Sequence, residues 1–301
     1  MGNKSSSTLV SIHDNLYSRR NDKDISHGEE TLLQLHDIVD CVEYCATDVV
    51  KLNSKDVKLL SSIASLLANE FCRQHTTPTT EIMVACKLRA VAAIQRLLRI
   101  PSVSRNSLES CSMGLVNCLI PHNTELLSLS LNCICTGLLA IDDDGLKFAV
   151  LLRLEKILYY EKMLEIMDKI TEKDKDEDKA TILLLPAVLT FAQHLVWLLG
   201  NSFLESVSVA VTVNVKAFQR RLAASILKHQ ETIFKLFRHK ENPVRFAVTV
   251  LLLQIFNTQD RKQCAILQVN QRSCMLSYSS NYQLHDQLST SFLFLTIIIL
   301  N

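Results

Sequence analysis

The stretch Thr80–Ile100, TEIMVACKLRAVAAIQRLLRI, decides the fold class of this 301-residue chain. Pro78 stands just before it and Pro101 just after it, and neither proline nor glycine interrupts it. Proline is tolerated at the ends of helices and disfavoured inside them. The stretch is therefore predicted to be one helix that opens near Pro78 and Thr79 and is stopped by Pro101.

The same stretch recurs in weak form 44 residues downstream. Thr80-Glu81-Ile82 aligns with Thr124-Glu125-Leu126, and Ala93 then aligns with Gly137. Small residues at equivalent positions would let neighbouring helices approach closely. A period near 44 residues lies in the range of repeats built from two or three helices.

Apolar residues at helical spacing extend the prediction along the chain. One stripe contains Leu32, Leu35, Val39, Val42, Ala46 and Val49. Further helices are predicted at about 57–71, 107–120, 124–141, 145–170, 181–200, 203–214, 215–239, 243–257 and 260–271, with caps offered by Asn53 or Ser54 and by Asp142–Gly145. The alternation at Val207–Val215 is typical of a strand, but its helical neighbours favour a helix.

The composition supports a mostly helical chain. Six Gly and five Pro together make up about 4% of the residues, against an average of roughly 12%. This scarcity argues against folds with many tight turns and leaves no glycine-rich phosphate loop. The net charge of +1 gives no general reason to expect a nucleic acid or an anionic membrane as partner.

The predicted organisation has five parts. They are a disordered N-terminal segment (1–28), a helical half (29–171), a charged linker (172–179), a second helical half (180–271) and an irregular tail (272–301). The tail is interpreted as lying outside the core, and as a sign that further repeats are missing. The chain has ten cysteines without a CxxC pair, and its polar start shows no signal peptide. These features favour reduced thiols and a cytoplasmic location. The membrane periphery and the nucleus are the alternative locations.

Near the C-terminal end, the segment Asn242-Pro243-Val244-Arg245-Phe246-Ala247 precedes a run of apolar residues. It resembles the turn and Val-Arg opening of a HEAT repeat, and His122-Asn123-Thr124-Glu125-Leu126 is similar to the start of an armadillo helix. The resemblance to the HEAT/armadillo superfamily implies an irregular α-solenoid of stacked antiparallel helix pairs over about 30–271. It also implies protein binding or scaffolding rather than catalysis. A non-repeating helical domain is the alternative.

No motif indicates catalysis, a cofactor or a metal. Cys41 and Cys45 share a helix face, but His36 lies about 140° away around the helix, so a zinc site is not favoured. The aspartates at 174, 176 and 178 imitate a calcium loop that lacks its glycine and its final glutamate. His194 lies in an apolar helix and is interpreted as a partnered core residue. The sequence thus predicts no catalytic, cofactor-binding or metal-binding residue.

A basic stretch is the main candidate for partner binding. Between Lys216 and Arg245 there are eight Lys and Arg against two Glu, a net charge of +6. The predicted partner-binding residues are Lys216, Arg220, Arg221, Lys228, Lys235, Arg238 and Arg245. A solvated helix face without function is the simpler interpretation. An acidic surface of another protein is favoured as the partner over nucleic acid, since the three phenylalanines here have core-like spacing.

The first six residues, Met1-Gly2-Asn3-Lys4-Ser5-Ser6, fit the pattern for N-myristoylation at Gly2. One acyl chain binds membranes only marginally and reversibly. The sequence therefore favours a non-enzymatic scaffold or adaptor for protein partners. The alternatives are a myristoylated peripheral membrane adaptor and a nucleic-acid-associated repeat protein that uses the basic stretch.

Overall fold

The structure is a computed structural model that describes residues 2–19, 31, 33–40, 52–73, 80–120, 122–172, 179–199, 209–239 and 242–258. Every regular element in these ranges is an α-helix, and they contain no strand. The prediction of an all-α fold is therefore confirmed. The predicted helix at 260–271, the tail at 272–301 and most of the charged linker lie outside the described residues.

The described helices are numbered in chain order. They are α1 (Gly2–Arg19), α2 (33–40), α3 (Ser54–Phe71), α4 (Glu81–Leu98), α5 (Pro101–Asn117), α6 (Thr124–Ala140), α7 (Asp144–Lys156), α8 (Tyr159–Glu172), α9 (Lys179–Leu199), α10 (Val209–Lys228), α11 (Gln230–Phe237) and α12 (Asn242–Thr258).

Short polar side chains fix the starts of several helices. Asn53 accepts hydrogen bonds from the backbone N–H groups of Lys55 and Asp56 at the start of α3. Thr80, Asn123 and Asp143 cap α4, α6 and α7 in the same way, and Pro101 opens α5. Such caps satisfy backbone donors that have no partner inside the helix. The predicted caps at Asn53 and at Asp142–Gly145 are confirmed.

The described helices contact one another at several intervals along the chain. Neighbours in sequence pack together, as in α3 with α4 and α5 with α6. Helices two positions apart also contact, as in α1 with α3, α3 with α5, α4 with α6, α5 with α7, α8 with α10 and α10 with α12. From α6 onward there are contacts three positions apart as well, in α6 with α9, α7 with α10, α8 with α11 and α9 with α12. The apolar faces between them form one continuous buried cluster that reaches from Leu9 to Ile255.

Two glycines allow close helix contacts. A Cβ atom on Gly114 of α5 would lie 2.7 Å from the backbone oxygen of Ala68 in α3. A Cβ on Gly137 of α6 would lie 2.8 Å from a methyl carbon of Leu108 in α5. Side chains at these positions would collide with their neighbours. The 44-residue alignment pairs Ala93 with Gly137. The prediction that a small residue at this position lets neighbouring helices approach closely is confirmed for Gly137.

The N-terminal segment differs from the sequence prediction. Residues 1–28 are predicted to be disordered, whereas Gly2–Arg19 forms helix α1. Leu9 and Leu16 are almost fully buried, Ile12 packs against the same core, and α1 contacts α3. These three residues are spaced three and four apart, so they share one helix face. Val10 and Tyr17 stand beside them but are exposed, which conceals the one-sided pattern in the sequence.

Two predicted helices are each divided. The helix expected at 145–170 ends at Lys156 and restarts at Tyr159, and the helix expected at 215–239 is interrupted at His229. The helix boundary expected near residue 214 is also wrong, because α10 runs through it from Val209. Over Val209–Val215, the preference for helix over strand is confirmed.

Candidate functional site: the basic face of α10 and α11

Helix α10 has one buried face and one basic face. Its buried face contains Val215, Phe218, Leu222, Ala223 and Ile226. The side chains of Lys216, Arg220, Arg221 and Lys228 lie on the other side and are exposed. The apolar residues at helical spacing hold the helix against the core, and the cations are consequently left in solvent.

Helix α11 and the residue that follows it also carry exposed cations. Lys235 and Arg238 are exposed, while Ile233 and Leu236 are buried. Glu231 is the exposed acid on this short helix. Six of the seven predicted partner-binding residues are thus exposed. We call Lys216, Arg220, Arg221, Lys228, Lys235 and Arg238 the basic face.

Arg245 is the exception among the predicted residues. It lies in the first turn of α12, is only half-buried, and donates a hydrogen bond from Nη1 to the backbone oxygen of His239 at 2.7 Å. Its guanidinium therefore ties the start of α12 to the end of the preceding turn. Phe246 beside it is 73% exposed, whereas Val244 and Val248 are buried.

Arg221 forms an ion pair between the basic face and helix α7. Its Nε and Nη2 donate to the two carboxylate oxygens of Glu155 in α7, each at 2.9 Å. This hydrogen bonding raises the pKa of Arg221. A pair of parallel hydrogen bonds fixes geometry well, but both groups contact solvent, so the pair adds little stability.

The interruption at His229 has polar partners in α8. The ring Nδ1 of His229 lies 2.5 Å from a carboxylate oxygen of Asp168, and the Thr232 hydroxyl donates to the other oxygen. Arg221, Lys228 and Lys235 recur every seven residues, so on one continuous helix they would follow one line. Because α10 ends at Lys228 and α11 begins after His229, the line is divided between two helices.

The structure places Gly2 in the first turn of α1. Residues 2–7 are described only as helical backbone, and Leu9 follows as the first buried side chain. Acylation of Gly2 stays a prediction. Among the described helices, none combines the length and the hydropathy needed to cross a membrane.

The described cysteines are buried free thiols. Burial raises the pKa of Cys111 and of Cys135 to about 12. A hydrogen bond between Cys72 and Cys118 lowers the pKa of Cys118, and Lys87 and Lys162 lower it further. Both thiols are inaccessible to solvent, so a substrate cannot reach them. Cys41 and Cys45, and the aspartates at 174, 176 and 178, lie outside the described residues.

The described side chains also include no cluster of three or more His, Cys, Asp and Glu that could hold a metal ion. His194 is a buried core residue, as predicted, and its Nε2 has no hydrogen-bond partner among the described atoms. The ring stacks on Trp197 with centroids 5.8 Å apart.

Sequence reasoning missed two features of this region. The pairing of Arg221 with Glu155 joins residues 66 positions apart, which no local pattern indicates. Leu158, between α7 and α8, has a positive φ of 59°, and a leucine in the sequence gives no sign of such a conformation.

In comparisons with known proteins, the chain matches no protein-family model and no curated protein.

Proposed function

We propose that this protein is a non-enzymatic α-solenoid scaffold or adaptor that binds an acidic surface of another protein through the basic face. The single observation that carries the proposal is the exposure of six cationic side chains on α10 and α11 while the apolar side of the same helices is buried. Concentrated charge of one sign attracts surfaces of the opposite sign and steers association with them.

The helix contacts support the stacked architecture in this proposal. A repeat unit cannot bury its apolar face alone and relies on its neighbours, so equivalent helices of successive units should touch at a constant interval. Contacts two positions apart along the chain, joined from α6 onward by contacts three positions apart, are what a mixture of units of two and three helices would produce. This mixture agrees with an irregular member of the HEAT/armadillo type.

Charge reversal with a matched control tests the proposal. The first variant carries Glu at Lys216, Arg220, Lys228 and Lys235. The control carries Glu at four cations that are exposed on other helices, namely Lys55, Lys58, Arg89 and Arg105. Both variants change the net charge equally, so a difference between them reports the location of the charge and not its amount.

The measurement is quantitative affinity purification of the full chain from cells, followed by binding of each captured protein to the purified variants. We expect acidic partners to lose at least about tenfold in affinity with the first variant, because several charge contacts are reversed together. The control should keep its affinity within about threefold. Equal losses in both variants, or no loss, would contradict the proposal. Capture that disappears after nuclease treatment would indicate nucleic acid instead.

A further inference from the structure

Leu158 occupies an unusual position at the corner between α7 and α8. Its N–H donates to the backbone oxygen of Glu155 at 3.1 Å, and its own carbonyl oxygen accepts from the N–H of Lys162 at 3.0 Å. One residue therefore closes α7 and opens α8. It is the only non-glycine residue with a positive φ in the described part of the chain.

Leucine is a poor choice for this corner on structural grounds. The left-handed conformation after a helix end is usually taken by glycine, or by asparagine, because other L-residues are strained there. The leucine side chain does not compensate through burial, since it is 61% exposed. Neither the helix end nor the core accounts for a large apolar residue here, and strained residues tend to occur at functional positions.

The corner adjoins the basic face. The backbone oxygen of Glu155 accepts the hydrogen bond from the Leu158 N–H. The side-chain carboxylate of the same residue accepts hydrogen bonds from Arg221. The Arg221 side chain is 55% exposed despite the pair, and Lys156 at the end of α7 is exposed too. Leu158 is thus hydrogen-bonded through its backbone to the residue whose carboxylate orients Arg221, and both Leu158 and Arg221 are exposed.

We propose that Leu158 is the apolar anchor of the partner-binding surface, and that its ligand is an acidic peptide segment carrying a large apolar side chain. A carboxylate of that segment takes the place of Glu155 on Arg221, while its apolar side chain covers Leu158. This inference rests on the proposed function, because it names the chemistry of the partner of the same basic face.

Charge complementarity selects this ligand over a second copy of the chain. A second copy that placed its own basic face against this one would bring two sets of six exposed cations together, and like charges in a contact disfavour it. An acidic segment meets opposite charge along the whole face. The centre of such a contact is expected to be apolar with a charged rim.

Selection of random linear peptides displayed on phage tests the inference, with the full-length protein as the bait. We expect the enriched peptides to combine several Asp or Glu with a Leu, Ile, Met or aromatic residue. Affinities of the synthesised peptides are then measured for Leu158→Asn and for Leu139→Asn. Leu139 is a matched control because it is an exposed leucine, at 66%, on helix α6.

Leu158→Asn should weaken peptide binding about tenfold or more, as loss of an anchor residue does, while Leu139→Asn leaves it unchanged. The same Leu158→Asn change should raise the melting temperature by about 2–4 °C, because it relieves the left-handed strain. Leu158→Met should retain binding, and Glu155→Gln should strengthen it by removing the competing carboxylate. Opposite effects on stability and binding would not arise from a purely structural leucine.

The outcomes separate this inference from the proposed function. If acidic peptides bind and depend on Lys216, Lys228 and Lys235 but bind Leu158→Asn as well as the original protein, the anchor is wrong and the basic face stands. If selection enriches no acidic peptide, the inference is wrong, while the proposed function is decided by the acidic proteins captured in the affinity purification. If charge reversal of the basic face leaves the binding of acidic peptides and of acidic proteins unchanged, both are wrong. Tighter binding to Leu158→Asn also overturns the anchor.

Discussion

His194 should make the protein less stable in mild acid. The side chain is buried, stacks on Trp197 and meets Tyr159 edge-on with ring centroids 6.1 Å apart. Its Nε2 has no hydrogen-bond partner among the described atoms, so a proton there would create an unpaired charge away from water. Burial accordingly lowers the pKa of His194 from 6.5 to about 4.

The sign and size of the effect follow from this shift. Between pH 6.5 and about 4 the unfolded chain binds a proton at this histidine and the folded chain does not, so acid favours unfolding. The stabilisation is fully present above pH 6.5 and is lost as the pH falls through this window. The difference reaches about 3 kcal/mol below pH 4 and about 2 kcal/mol at pH 5, at roughly 1.4 kcal/mol for each pKa unit.

The assay is urea unfolding at about pH 7 and about pH 5, for the original protein and for His194→Phe. The original protein should lose about 2 kcal/mol more than the variant over this interval, because phenylalanine cannot be protonated. His122→Gln is the control, since His122 is exposed and should not change the pH dependence.

Equal pH dependence in the original protein and in His194→Phe would refute the reasoning. If the variant does not fold, NMR titration of the original protein decides the question. A His194 ring that titrates near its ordinary pKa in the folded state would contradict its burial as a neutral group.

Three further predictions concern packing, capping and thiol reactivity. Gly114→Ala should lower the free energy of unfolding by about 1–3 kcal/mol, because its Cβ would collide with the Ala68 backbone. Chemical denaturation measures this change. Gly145→Ala is the control, and its free energy of unfolding should stay within about 1 kcal/mol of that of the original protein. Asp143→Ala should cost about 1 kcal/mol by removing the cap on the Leu146 N–H, whereas Asp142→Ala should not, by the same measurement. Cys111 and Cys135 should resist iodoacetamide in the folded protein, because burial shields them and raises their pKa to about 12. Mass spectrometry of the modified peptides measures the rate of reaction. Reaction of either thiol at the rate found in the unfolded chain would contradict the prediction.

Helix starts could be predicted because their chemistry is local. Asn53, Thr80, Asn123 and Asp143 each accept a hydrogen bond from a residue two or three positions later, so the short polar residue and its neighbours suffice to identify the cap. The basic face could be predicted for a similar reason. Apolar residues at helical spacing determine which side is buried, and the intervening cations must then be exposed.

The features that escaped prediction depend on distant residues. Helix α1 forms where three apolar residues meet α3, and nothing within residues 2–19 indicates that contact. The corner at Leu158 lies inside an apolar pattern that continues through it, so the sequence predicts one helix where there are two. The Nζ of Lys162 donates to the backbone oxygen of Val116 in α5, 46 residues away, and no local pattern in the sequence indicates this bond.

The 44-residue sequence period fits only part of the chain. The offset aligns α4 with α6, and those two helices lie against each other in the structure. From α6 onward contacts three helices apart are present beside contacts two helices apart, as in α7 with α10 and α9 with α12. The division at Leu158 adds one helix to this part of the chain. The end of α7 lies beside α10, where Glu155 meets Arg221. The strained corner thus connects the division into α7 and α8 with the surface that we propose as the binding site.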